Sequence, residues 1–215
     1  MLVAVFGYVG NVFLKFLINE EAVGYYTAAI TCAGITNFVF AAIIDSARPS
    51  ILESKNNGSD LYKKKIIHLY LIIIALTLAQ SVFITIFADL CVKILYGSKY
   101  IGAITPLRIY TWQTTFSQIG TIRNIWILAE QKQRYLWCIN LCGALVSVVL
   151  NFALIPIVGV VGAAISAVAT QFITNILLGF IIKPIRENNR LIYCAFSPKS
   201  FVEITRVYFR FGKNK

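Results

Sequence analysis

From Tyr135 to Ile182 the chain carries no Asp, Glu, Lys or Arg. As a single helix this run would be about 72 Å long, more than twice the roughly 30 Å hydrocarbon core of a bilayer. It must therefore fold back on itself in an apolar medium. Ile155-Pro156-Ile157-Val158-Gly159 marks the turn, because proline has no amide donor and glycine accepts a tight bend. Lipid offers backbone groups no partner, so both arms are predicted to be helices that satisfy their own hydrogen bonds.

Four more segments meet the same length criterion. They run from Met1 to Ile18 (interrupted by Lys15), from Ala22 to Ile44, from Ile66 to Ala88, and from about Leu107 to Ala129 with Arg123 inside. Only 13% of residues are charged, about half the share of a soluble domain, which argues against an ordinary soluble enzyme. The formal charge of +11 would otherwise raise nucleic acid as a partner. Here the basic residues sit between and after apolar runs, so membrane lipids are the predicted partner and nucleic acid is not. Lys55, Lys63, Lys64, Lys65, Lys132, Arg134 and the basic residues from Lys183 onward fall in one set of loops. Lys93, Lys99 and Arg108 fall in the other, with Glu20 and Glu21. The positive-inside rule then puts both termini in the cytoplasm. The predicted fold is all-α and polytopic: a six-helix transmembrane lobe over 1–182 and a basic cytoplasmic tail over 183–215. In that tail, Ser197-Pro198 would open an amphipathic helix bearing Phe201, Ile204, Tyr208 and Phe211 on one face. Met1 opens directly into apolar sequence with no cytoplasmic leader, the pattern of a chain that starts inside a larger protein.

Polar residues recur at helical spacing within these spans. The stripes are Tyr8, Asn11 and Lys15 on the first; Thr27, Thr31, Gly34, Asn37, Ala41, Asp45 and Arg48 on the second; and Gln113, Ser117, Gly120 and Asn124, beside Arg123, on the fourth. The fifth carries Asn140, Gly143, Ser147 and Asn151, and the sixth Gly162, Ser166, Thr170 and Thr174. Small residues with occasional hydroxyls are the ordinary glue of helix packing in lipid, which suffices for the last two spans. Ionisable groups need more, since a charge facing acyl chains costs about 2.5–3.5 kcal/mol near the bilayer centre. Two readings stand for Lys15, Arg48 and Arg123: snorkelling to the interface, or lining a wet cavity that favours an anionic headgroup. Asp45 either pairs with Arg48 or takes part in ion coupling. Asn11, Asn37, Gln113, Ser117 and Asn124 are candidate polar lining.

No catalytic or phosphate-binding motif is present. Gly97-Ser98-Lys99 lacks the glycine-rich approach of a P-loop, and Asn57-Gly58-Ser59 reads as a turn. The five cysteines and His68 have no metal-ligand spacing. The sequence predicts neither an enzyme nor a cofactor.

Three stretches resemble a known family. Glu21-Ala22-Val23-Gly24-Tyr25-Tyr26-Thr27-Ala28-Ala29 is similar to the start of the eighth helix of bacterial O-antigen and polysaccharide flippases. Ile94-Leu95-Tyr96-Gly97-Ser98-Lys99-Tyr100 with Pro106-Leu107-Arg108 resembles one of their external loops. Asn151 to Pro156 followed by Gly159 to Ser166 resembles the hairpin between their last two helices. The order and spacing match the C-terminal half of this branch of the multidrug/oligosaccharidyl-lipid/polysaccharide exporter superfamily. The resemblance implies one lobe of a two-lobe transporter in the bacterial inner membrane, moving an undecaprenyl-diphosphate-linked glycan by alternating access. It also implies that a second six-helix lobe, from another chain or a second copy, completes the cavity. Weaker readings are a non-transporting remnant or structural subunit of a split gene, and a cation or drug antiporter lobe, which would want more acidic cavity groups than Asp45.

Overall fold

The computed structural model describes residues 2–56 and 59–196, with side chains over 9–55 and 60–195. The amphipathic helix expected after Ser197, the turn expected at Asn57-Gly58 and the Tyr8 side chain fall outside these residues. Within them every regular element is helical: α1 (Leu2–Leu17), α2 (Glu20–Gly34), α3 (Asn37–Asn56), α4 (Ser59–Tyr96), α5 (Ile104–Ala129), α6 (Arg134–Val158), α7 (Val160–Phe172), α8 (Leu178–Ile181) and α9 (Arg186–Phe196). A wide π turn, Ile173–Leu177, joins α7 to α8, and short 3-10 turns precede α5 and α9.

Local chemistry sets several of these boundaries. The Asn19 side chain accepts the Ala22 amide at 2.8 Å and caps α2, whose first turn holds Glu20 and Glu21. Gly97 and Gly159 have φ of +77° and +64°, a region that side chains disfavour, and each stands where the chain reverses. The reversal after α6 is tighter than the sequence suggests. Pro156 lies inside the last turn of α6, the Gly159 amide bonds to the Ile155 carbonyl at 2.8 Å, and Gly159 alone turns the chain into α7.

Among the described residues, three helical stretches are long and apolar enough to cross a membrane: Asp60–Tyr96, Arg134–Val158 and Val160–Ile181. A fourth follows if α2 and α3, bent by 44° at their junction, count as one crossing. The chain is a membrane protein by these helices. At 38 residues, α4 is about 57 Å long, so both its ends project well beyond the apolar run. It bends at Phe87, where φ/ψ is −97°/15°. Although α5 has 26 residues, it is less apolar, because threonines, Gln113, Ser117, Arg123 and Asn124 interrupt it. It runs through the middle of the bundle against α2, α3, α4 and α7, which bury much of its length.

Two apolar clusters form, one at each end. At the end bearing Lys63–Lys65 (the basic end), Ile44, Ile66, Ile73, Ile119, Ile122 and Trp126 pack with Ile185, Leu191 and Ile192. At the far end, Ala28, Ala29, Ala88, Ala103, Ala163 and Ala164 pack with Tyr26, Tyr110 and Leu107. Residues from Lys183 to Phe196 belong to the packed bundle and do not trail from it. α9 lies against α4, where the Tyr70 hydroxyl donates to Asn188 Oδ1 at 3.0 Å and Lys63 pairs with Glu187 at 3.2 Å. Lys132 donates to the Pro184 carbonyl at 2.9 Å.

Candidate functional site

Between the two apolar clusters lies a layer of buried polar side chains: Thr77, Ser81, Thr111, Thr114, Thr115, Ser147, Asn151, Ser166, Thr170, Thr174 and Asn175. Arg123 is also buried, only 3% exposed, and stands on α5 between Ile122 and Trp126 of the basic-end cluster. Its Nη1 donates to the Thr174 carbonyl at 2.8 Å, within the π turn. A π turn widens the helix and shifts its hydrogen-bond ladder, which leaves carbonyls for side chains to take. The Asn189 amide takes a second one, that of Ile176, at 3.0 Å. Asn175 of the same turn donates to Gln171 Oε1 at 2.6 Å. Gly120 is what lets α5 approach: a Cβ there would collide with the Asn175 side chain. One polar cavity of about 70 Å³ results, lined by Ser117, Gly120, Thr121, Arg123, Asn124, Asn140, Thr170, Gln171, Thr174 and Asn175.

The remaining sequence candidates lie elsewhere. Lys15 is exposed at the end of α1 and pairs with Glu20 at 3.2 Å. Arg48 is exposed on α3 and pairs with Asp45 at 3.1 Å. Asn11 is half-buried on α1, Asn37 is exposed at the start of α3, and Gln113 is half-buried on α5. The structure thus brings Arg123, Ser117 and Asn124 to one cavity and leaves Lys15, Asp45 and Arg48 on the exterior of α1 and α3. On the bent α2–α3 pair, Thr27, Thr31, Asn37, Ala41, Asp45 and Arg48 are all exposed, so the polar stripe of that span faces out of the bundle.

Sequence reasoning treated Thr170 and Thr174 as packing glue and passed over Gln171 and Asn175. All four line the Arg123 cavity. The available signal was their spacing: Thr170 and Thr174, and Gln171 and Asn175, are each four apart, on adjoining faces of one helix. Asn188 and Asn189 carried no such signal, because they sit among Arg186, Glu187 and Arg190 and read as solvated sequence. Among the described residues, no group of three His, Cys, Asp or Glu side chains could hold a metal. The cavity's donor set of guanidinium, hydroxyls and amides is suited to an anion rather than a cation.

Comparison with known proteins finds a curated relative called "Putative O-antigen transporter" in Escherichia coli (strain K12). It is 26% identical over 189 residues, which make up 85% of this chain and 43% of the relative. The chain therefore spans less than half the length of that relative. No protein-family model matches the chain, and no solved structure matches it significantly. The likeness covers most of this chain and makes it a distant relative of that putative O-antigen transporter.

Proposed function

We propose that this chain is one lobe of an exporter that flips undecaprenyl-diphosphate-linked oligosaccharide units across the bacterial inner membrane, for O-antigen or other surface polysaccharide. The observation that carries this reading is the outward polar stripe from Thr27 to Arg48, on a helix pair long and apolar enough to cross a membrane. Turned to acyl chains, its ion pair and amides would be poorly solvated. Turned to a water-filled vestibule, they are at home. In this reading α1, the α2–α3 pair, α4, α5, α6 and the α7–α8 run are six crossings, with α5 shielded from lipid by its neighbours. The basic end, both termini and residues 183–215 face the cytoplasm. A second six-helix lobe, on another chain or a second copy, closes the vestibule, because alternating access rocks one bundle against another. Lys15 and Arg48 would meet the diphosphate from the exposed face. Arg123 would meet it only once the cleft beside Asn124 widens, since about 70 Å³ is too small for a glycosylated diphosphate.

A second reading, a membrane subunit that does not transport alone, is favoured by that small cavity. Complementation distinguishes the two. In a strain deleted for its resident flippase, surface polysaccharide should return when this chain is expressed with the neighbouring upstream reading frame. Failure with and without that frame favours the subunit reading.

A further inference from the structure

We propose that the cavity at Arg123 is a binding site for a small inorganic anion of halide size. Three buried donors around it have no hydrogen-bond partner: Arg123 Nε and the hydroxyls of Thr170 and Thr174. They come from two helices, α5 and the run from α7 into the π turn. Helical threonines usually bond back to a carbonyl three or four residues earlier, as Thr77 does to Ile73 at 2.8 Å. Thr170 and Thr174 do not, so their hydroxyl protons remain available to the cavity.

Among the described residues, Arg123 also lacks a counter-charge. Among the described acids, Glu20, Asp45, Asp89, Glu130 and Glu187 pair with Lys15, Arg48, Arg108, Lys55 and Lys63. Glu21 accepts from Tyr25, and Glu53 and Asp60 are exposed. Among the described residues, the guanidinium donates its hydrogen bond to a neutral carbonyl, and Tyr70 is a neutral neighbour. A buried cation without a compensating charge is strongly unfavourable, and its pairing must come from something that enters. The cavity sets the size. At about 70 Å³, where one water needs about 10–15 Å³, it holds a halide or nitrate with a few waters but no bulky anion. The route in passes Asn124, which lines the cavity and is exposed. Asn140, on the opposite wall, adds an amide that can turn its NH₂ toward the ion.

The site does not depend on the export reading, and complementation and anion binding can fail separately. The test uses the full chain purified in detergent, followed by the midpoint of its thermal unfolding in tryptophan fluorescence. At fixed ionic strength, sodium gluconate is exchanged stepwise for sodium chloride, bromide or nitrate. The wild-type midpoint should rise by a few degrees and saturate with each small anion, because a ligand that binds only the folded state stabilises it. Arg123→Gln should abolish the response. The near-isosteric pair Thr170→Val and Thr174→Val keeps the charge and should raise the half-saturating concentration about tenfold, the loss of two modest hydrogen bonds. Should R123Q fail to fold, the threonine pair carries the test alone. Identical midpoints in gluconate and chloride would overturn the proposal in favour of a cavity holding water only. So would an undiminished chloride response in either variant.

Discussion

The two apolar clusters do the same job with different side chains. The far end is built on alanines, with Tyr26 and Tyr110 set edge-to-face, ring centroids 5.8 Å apart. Small side chains let backbones approach, and in lipid close contact rather than water exclusion holds helices together. Gly162 shows how close: a Cβ there would run into the backbone carbonyl of Leu154, on the facing arm of the hairpin. The basic end is built on isoleucines, whose bulk holds helices further apart. α9 is held there through asparagine hydrogen bonds and an ion pair. The far end is thus a close-packed clasp, and the basic end a wider seat with an added helix. The buried hydroxyls of Thr111, Thr114 and Thr115 lie between them on α5, and Arg123 stands among the isoleucines of the basic end.

The largest effect should come from widening the clasp. Gly162→Val places atoms against backbone that no side-chain rotation can clear, at a cost on the order of 3 kcal/mol. Little folded protein should be recovered in size-exclusion chromatography. Gly120→Ala makes a superficially similar collision, but with the Asn175 side chain, which can swing. It should cost about 1 kcal/mol and fold, while filling part of the Arg123 cavity. Equal losses from the two substitutions would show that the ends are not packed differently.

The asymmetry was only half legible in the sequence. The all-helical fold and the hairpin followed from one long uncharged run and the physics of lipid. The burial of Arg123 was less visible, since its position about six residues from the end of α5 also allowed snorkelling. What turned it inward is a π turn, and no propensity or spacing announces one. The asparagines of α9 were hidden for a different reason. Arg186-Glu187-Asn188-Asn189-Arg190 is polar enough to be a solvated tail. Its docking depends on Tyr70, distant in sequence, and on carbonyls freed by that same π turn. The stripe from Thr27 to Arg48 read as one helical face, but the chain breaks after Gly34 and bends by 44° into α3, and periodicity does not say whether a face points into its own bundle or away from it.

The seat of α9 offers an intermediate test. Asn189→Ala removes the bond to Ile176, and Tyr70→Phe removes the bond to Asn188. Each should cost about 1 kcal/mol. Together they should speed amide hydrogen exchange across 186–196 about tenfold or more, while exchange in the alanine-rich clasp stays as it was. Faster exchange at both ends would mean that the bundle opens as a unit, and the distinction between clasp and seat would fall.

The smallest expected effect decides what the outward stripe faces. Arg48 and Asp45 are 46% and 63% exposed and 3.1 Å apart. In water such a pair is worth about 0–1 kcal/mol, so Asp45→Asn should leave thermal stability in a lipid nanodisc nearly unchanged. If acyl chains cover that face, the same substitution strands an unpaired guanidinium in hydrocarbon, and the loss should approach the roughly 2.5–3.5 kcal/mol of an intramembrane charge. Salt gives a second handle, because raising it from 0.1 to 1 M shortens the screening length from about 10 to 3 Å and weakens a wet ion pair, yet scarcely touches one sealed in lipid. A near-neutral Asp45→Asn whose small cost vanishes in high salt therefore supports a vestibule along α2 and α3. A large, salt-insensitive cost turns the stripe toward lipid and removes the observation on which the export reading rests.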